Sequence, residues 1–105
     1  MDKRVKRIGL LASGGDTPGM NAATCAIVKS AQEQDIDVFG IQYGFRGLVE
    51  GLMKRMDGES VRNIMHLGGT ILKTSRYPDL LKPEVQERAV AVAQAFDLGG
   101  IITIG

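Results

Sequence analysis

A chain of 105 residues with 44% apolar and 24% charged residues has the make-up of one globular domain and is too short for two. Its formal net charge of +1 gives no electrostatic case for nucleic acid or an anionic membrane surface as a partner. The basic N-terminal run, Lys3, Arg4, Lys6 and Arg7, reads as a solvated flank before the first strand.

The first element is "RIGLLAS" (7–13), a short continuous apolar run that stops at paired glycines, as expected of a strand buried on both faces of a parallel sheet. From Pro18 to about Glu33, Met20, Ala23, Ile27 and Ala31 recur every three to four residues and predict an amphipathic helix. Asp16 or Thr17 can cap it, with Pro18 in its first turn. "DVFGIQY" (37–43) predicts a second strand, and "GFRGL" (44–48) a glycine-rich connection. "GESVRNIMHLGG" (58–69) predicts a short helix that starts at Glu59 or Ser60 and stops at Gly68, and "GTIL" (69–72) a brief extended piece. "TSRYPDLLKP" (74–83) reads as loop, broken by Pro78 and Pro83. From Pro83, the spacing of Val85, Ala89, Val92 and Phe96 predicts a helix, and Gly99 and Gly100 end the connection. "IITIG" (101–105) is a β-branched run and predicts a last strand.

This alternation predicts an α/β fold: an open parallel sheet of Rossmann-like type with helices on both faces, a three-layer sandwich. Ligands bind such sheets beyond the carboxyl ends of the strands. The chain stops at that end of its last strand, so it is expected to be a segment of a longer enzyme. The single cysteine, Cys25, has no thiol or histidine at metal-ligand spacing and is expected to be buried and inert. No signal peptide or membrane-spanning run is visible, and the composition suits a reducing cytoplasm.

The stretch "SGGDTPGMNA" (13–22) joins the first strand to the first helix. Gly14 and Gly15 let a ligand approach the backbone, and the first N–H groups of the helix have no partners inside it. Together they suit a phosphate. The string is neither the dinucleotide fingerprint nor a P-loop, and on the residues alone a plain turn is the commoner explanation. Asp16 is expected to cap the helix or shape the turn, because phosphate would repel it. His66, near a predicted helix end, is read as structural.

Four landmarks in order carry a resemblance. They are "SGGDTPGMNA" (13–22), "GFRGL" (44–48), "LGGTILKTSR" (67–76) and the terminal "IITIG". This pattern is similar to the N-terminal part of the phosphofructokinase family, which transfers a phosphoryl group from ATP to the 1-hydroxyl of fructose 6-phosphate in glycolysis. The resemblance implies that residues 1–105 are the N-terminal segment of the nucleotide-binding α/β domain. It implies that the Gly15 backbone N–H meets the transferring phosphate, with Gly14 beside it. It further implies that Arg76 contacts the nucleotide phosphates, that Phe45 and Tyr77 wall the nucleotide pocket, and that Gly105 opens the next nucleotide-contacting segment. Magnesium is implied, with its ligand beyond Gly105, as are the general base and most of the fructose 6-phosphate pocket. The segment alone is therefore expected to be inactive, and the full enzyme a cytoplasmic homotetramer.

Two departures stand out. Many bacterial members bind ADP or phosphoenolpyruvate as effectors through basic residues at positions that here hold Cys25, Lys29 and Gly58, so that response is expected to be weak or absent. Lys73 stands where many members have glycine. A pyrophosphate-dependent relative stays open as an alternative, although Gly19-Met20 leans towards the ATP form. So does a truncated module that binds nucleotide or a partner without chemistry.

Overall fold

The computed structural model describes residues 6–13, 20–59, 61, 72–74 and 77–105. Strand β1 (Arg7–Ala12) lies between β2 (Asp37–Ile41) and β4 (Gly100–Ile104) and runs parallel to both. Ile8 pairs with Val38 on one side and Gly100 on the other. The order is β3-β2-β1-β4, an open sheet with helices on both faces.

β1 is central because its residues are apolar without alternation. Leu10, Leu11 and Ala12 are all fully buried. Leu10 and Ala12 face the cluster under helix α1 (Met20–Glu33), with Met20, Cys25, Val28, Ala31 and Val38. Leu11 points the other way, into Ile41, Leu48, Val49 and Ala89. Burying each of the two leucines stabilises the fold by about 2 kcal/mol.

Helix α1 ends where the sequence predicts, but its buried face is turned. The expected stripe was Met20, Ala23, Ile27 and Ala31. The buried residues are Met20, Asn21, Thr24, Cys25, Val28 and Ala31, while Ala23 and Ile27 are half-buried. Thr24 can sit inside because its hydroxyl donates to the Met20 carbonyl oxygen at 2.9 Å, which satisfies the group within the helix. Cys25 is buried, as expected, and its Sγ lies 3.8 Å from the Val61 carbonyl oxygen.

The expectation of a connection at 44–48 is corrected. Gly44–Glu50 is a helix, α2. It buries Leu48 and Val49 and carries an Arg46–Glu50 bridge of 2.8 Å one turn apart, which outweighs the low helix propensity of its two glycines. It ends at Gly51, at φ 75°, and the Leu52 N–H donates to the Gly47 carbonyl oxygen at 2.8 Å. The open sheet is parallel across β2, β1 and β4 as expected, and it gains one strand that the sequence did not predict. Met53–Met56 forms β3, antiparallel to β2, with Ile41 opposite Met53 and Val38 opposite Met56. Its middle residues, Lys54 and Arg55, are exposed, and Arg55 reaches Asp37 across the pair at 3.3 Å. That is the chemistry of an edge strand.

The segment 74–83 is a loop with one 3₁₀ turn at Pro78–Leu81. It leads into α3 (Pro83–Ala95), with Pro83 in the first turn as expected. Helix α3 covers the face opposite α1 through Ala89, Val85 and Ala93. β4 begins one residue earlier than predicted and is largely exposed, with no strand on its outer edge among the described residues. Glu59 lies in a turn, and nearly all of the predicted helix at 58–69 and extended piece at 69–72 falls outside the described residues. No helix among the described residues is long and apolar enough to cross a membrane.

Candidate functional site

From β1 the chain crosses over α1 to β2 on one side, and later returns over α3 to β4 on the other. This puts the switch point of the sheet between the carboxyl ends of β1 and β4. In open α/β sheets this switch point is where ligands bind. The stretch with Gly14 and Gly15 leaves β1 at this point, and Gly105 leaves β4 beside it.

The backbones meet closely there. The Ser13 N–H donates to the Ile104 carbonyl oxygen at 2.8 Å. Gly105 has φ 137°, and any side chain at it would run into the Ser13 carbonyl. On the other side of β1, Gly44 has φ 59°, and a Cβ on it would lie 3.0 Å from the Ala12 carbonyl oxygen. Only glycine fits these two positions without strain. At this junction the main chains of Ser13 and Gly105, and of Ala12 and Gly44, pack with little room for a side chain between them.

Two aromatic residues share the core cluster on the α3 side of the sheet. Phe45, on α2, is half-buried against the cluster of Leu11, Ile41, Leu48, Val49 and Ala89, and Tyr77 packs on the same cluster from the start of the 3₁₀ turn. The Tyr43 N–H donates to the Leu72 carbonyl oxygen at 2.9 Å, which ties residues 72–74 to the carboxyl end of β2. Of the residues singled out in the sequence, Phe45 and Tyr77 are thus brought together on one cluster, while Gly105 sits at the β1–β4 junction. Gly14, Gly15, Asp16, His66 and Arg76 lie outside the described residues.

Three neighbours were not identified as site residues by the sequence reading. Tyr43 precedes α2 with φ 63° and ψ 34° and is 40% exposed. Arg46 is exposed; its hydrogen bond to Glu50, and then the charge of Glu50, push its pKa above the ordinary arginine value, with smaller contributions from Tyr43 and Tyr77. Lys73 also has positive φ, at 63°. Of the three, Lys73 alone stands out in the sequence, where the resemblance implies glycine in many members. A polar cleft of about 290 Å³ lined by Gln32, Asp35, Ile36, Asp37, Arg55 and Met56 lies at the opposite end, where Asp37 opens β2. It is therefore not at the β1–β4 junction.

Comparison with known proteins agrees with this architecture. The sequence profile of the family described as Phosphofructokinase matches residues 7–105. The ATP-dependent 6-phosphofructokinase of Clostridium acetobutylicum is 48% identical over 101 residues, which is 96% of this chain and 32% of that protein. The enzyme of the same name from Bacillus cytotoxicus is 44% identical over the same coverage. The chain thus spans about a third of the length of the curated relatives it matches. A crystal structure of Pichia pastoris phosphofructokinase in the T-state superposes with a TM-score of 0.90 at 28% identity, covering 98% of this chain and 11% of that one. A pyrophosphate-dependent phosphofructokinase from Marinobacter aquaeolei has the same fold, with a TM-score of 0.80 at 22% identity over 94% of this chain and 26% of that one. On this sequence match and this fold, the chain belongs to the phosphofructokinase family.

Proposed function

We propose that the chain is the N-terminal, phosphate-gripping segment of the nucleotide-binding α/β domain of an ATP-dependent 6-phosphofructokinase. The observation that carries this reading is the switch point between the carboxyl ends of β1 and β4, at the end of β1 that leads into Gly14 and Gly15. Phosphoryl transfer depends mostly on positioning and on neutralising charge over the equatorial oxygens. In this reading the Gly15 N–H donates to the phosphoryl group in transit, and Gly14 keeps the approach clear. The Arg76 guanidinium bridges the nucleotide phosphates with its planar fork, which lysine lacks. Phe45 and Tyr77 hold the nucleotide from the side, and Gly105 meets it at the β1–β4 junction. Magnesium offsets phosphate charge in such reactions. The described residues gather no set of three acids, histidines or cysteines for it, so no step here is assigned to it.

The acceptor in this reading is fructose 6-phosphate, held mostly by residues outside these 105, in a homotetrameric cytoplasmic enzyme. The chain itself then binds nucleotide without turning it over. Titration calorimetry of the 105-residue chain with MgATP tests this. Saturable binding of MgATP, weaker binding of AMP and no fructose 1,6-bisphosphate in a coupled assay are expected. Absence of MgATP binding overturns the reading. Tighter binding of pyrophosphate than of MgATP would favour the pyrophosphate-dependent alternative.

A further inference from the structure

The two edges of the sheet differ in chemistry. β3 presents Lys54 and Arg55 to solvent, and two copies of such an edge would set like charges against each other. β4 carries no charge, no proline and no bulge, and no strand lies on its outer edge among the described residues. Ile101 and Ile102, on opposite faces of the sheet, are each 38% exposed. An uncharged edge that is open on both faces is a template for another strand.

The ladder decides which backbone groups point outward. The Ser13 N–H donates to the Ile104 carbonyl oxygen, so the backbone of Ile104 faces β1. Alternate residues of a strand face the same neighbour, so Gly100 and Ile102 face β1 as well. Ile101 and Thr103 therefore turn their N–H and C=O groups to the outside. Such a strand matches itself under a two-fold axis through Ile102. Set antiparallel to a like strand, Ile101 exchanges both bonds with Thr103 of the other copy, and Thr103 does the same with Ile101. Ile102 then stands opposite Ile102 in a non-hydrogen-bonded pair, where side chains come closest. Gly100 stands opposite Ile104, and a Cβ on Gly100 would meet nothing within 4 Å, so the isoleucine has room.

We propose that the outer edge of β4 binds a second copy of this chain, antiparallel about Ile102, which joins the two four-stranded sheets into one. The pairing closes at a dimer, because the edge left in each copy is the charged β3. The lack of charge and the self-matching register select a like strand as the occupant. The inference does not depend on the nucleotide reading.

Sedimentation equilibrium of the 105-residue chain tests this, with Ile102→Lys, Ile102→Glu and their equimolar mixture, each checked for folding by thermal unfolding. The unaltered chain is expected to move from 11.3 kDa towards twice that mass, half-associated at about 10–100 µM, as for a small interface. Each charged variant loses the apolar pair and sets like charges directly opposite, so association is expected to weaken at least about tenfold. The mixture is expected to restore it through a Lys–Glu pair. Amide exchange of the unaltered chain gives the same answer without any substitution: the Ile101 and Thr103 amides are expected to slow as the concentration rises. A chain that stays monomeric up to about 1 mM overturns the proposal. So do species larger than a dimer, and folded variants that fail to complement each other. Protection of the Ile101 and Thr103 amides in the monomer also overturns it, since another part of the same chain would then occupy the edge.

Discussion

The Met56 side chain occupies the space that a side chain at Gly40 would fill. A Cβ on Gly40 would collide with the Met56 thioether sulfur and would also lie 2.9 Å from Leu72 Cδ2. The antiparallel edge strand is thus seated on a bare patch of β2, and the same patch receives the leucine that anchors residues 72–74. Gly40→Ala is expected to cost about 1–3 kcal/mol through overpacking. Met56→Ala is expected to cost about 2 kcal/mol through the space it leaves. The double variant is expected to cost at least about 1 kcal/mol less than the sum, because the second change makes room for the first. Urea denaturation of the four proteins measures the coupling, and strict additivity would show that the two residues do not compete for one space.

Arg7 closes the amino-terminal end of the sheet. Its Nη1 donates to the Phe96 carbonyl oxygen at 2.9 Å, a carbonyl left open where α3 ends. Its guanidinium carbon lies 4.9 Å from the centre of the Phe39 ring, and Phe39 meets Phe96 edge-on at 6.2 Å. One cation thereby ties β1, β2 and the end of α3. Arg7→Ala is expected to destabilise the chain by about 1–3 kcal/mol. Arg7→Lys is expected to recover only part of this, since lysine keeps the charge and loses the flat face. A chemical denaturation series in which lysine restores full stability would rule out the stacked geometry.

The elements that could be read from the sequence are those whose signal is local. β1 announces itself by an unbroken apolar run, and α3 by Val85, Ala89 and Val92 after a proline. The elements that escaped are those decided by partners far along the chain. Lys54 and Arg55 give β3 no apolar run, and only pairing with β2 makes it a strand. Gly44 and Gly47 argue against a helix that burial of Leu48 and Val49 secures. The turned face of α1 depends on one hydroxyl bonding to its own helix at Thr24. The pairing of Phe45 with Tyr77 came from family resemblance and not from any periodicity, since 32 positions separate them. The sign of φ at Tyr43 and Lys73 could not be read from these residue types, because neither favours it.

The effector response follows from helix α1. Cys25 is 2% exposed, with its thiol directed at the Val61 carbonyl, so it offers nothing to an incoming diphosphate. A Cβ on Gly58 would lie 3.2 Å from Gln32 Oε1, so a neutral amide stands where a basic side chain would be needed. Lys29 is exposed and is the one cation among the three positions. A diphosphate site needs several such charges close together. In a phosphofructokinase carrying this segment, ADP and phosphoenolpyruvate are expected to leave the fructose 6-phosphate saturation curve essentially unmoved. A sigmoidal-to-hyperbolic shift on adding ADP would contradict this.

The roles proposed for Phe45 and Arg76 separate by ligand. Phe45 packs on the Leu11–Ile41–Leu48–Val49–Ala89 cluster and, in the proposed site, also offers its ring to the nucleotide. Phe45→Leu keeps most of the packing and is expected to change stability by less than about 1.5 kcal/mol. It removes the aromatic face, so ATP and adenosine should both weaken, by about five- to tenfold, as for loss of one base-stacking contact. Arg76→Lys removes the planar fork and leaves the base contact alone. It should weaken ATP about tenfold and adenosine hardly at all, since charge-assisted bidentate bonds act only on phosphate. Titration of both variants with both ligands gives a crossed pattern if the two residues read different parts of one nucleotide. Parallel losses in the two variants would mean that one of them acts only by holding the fold.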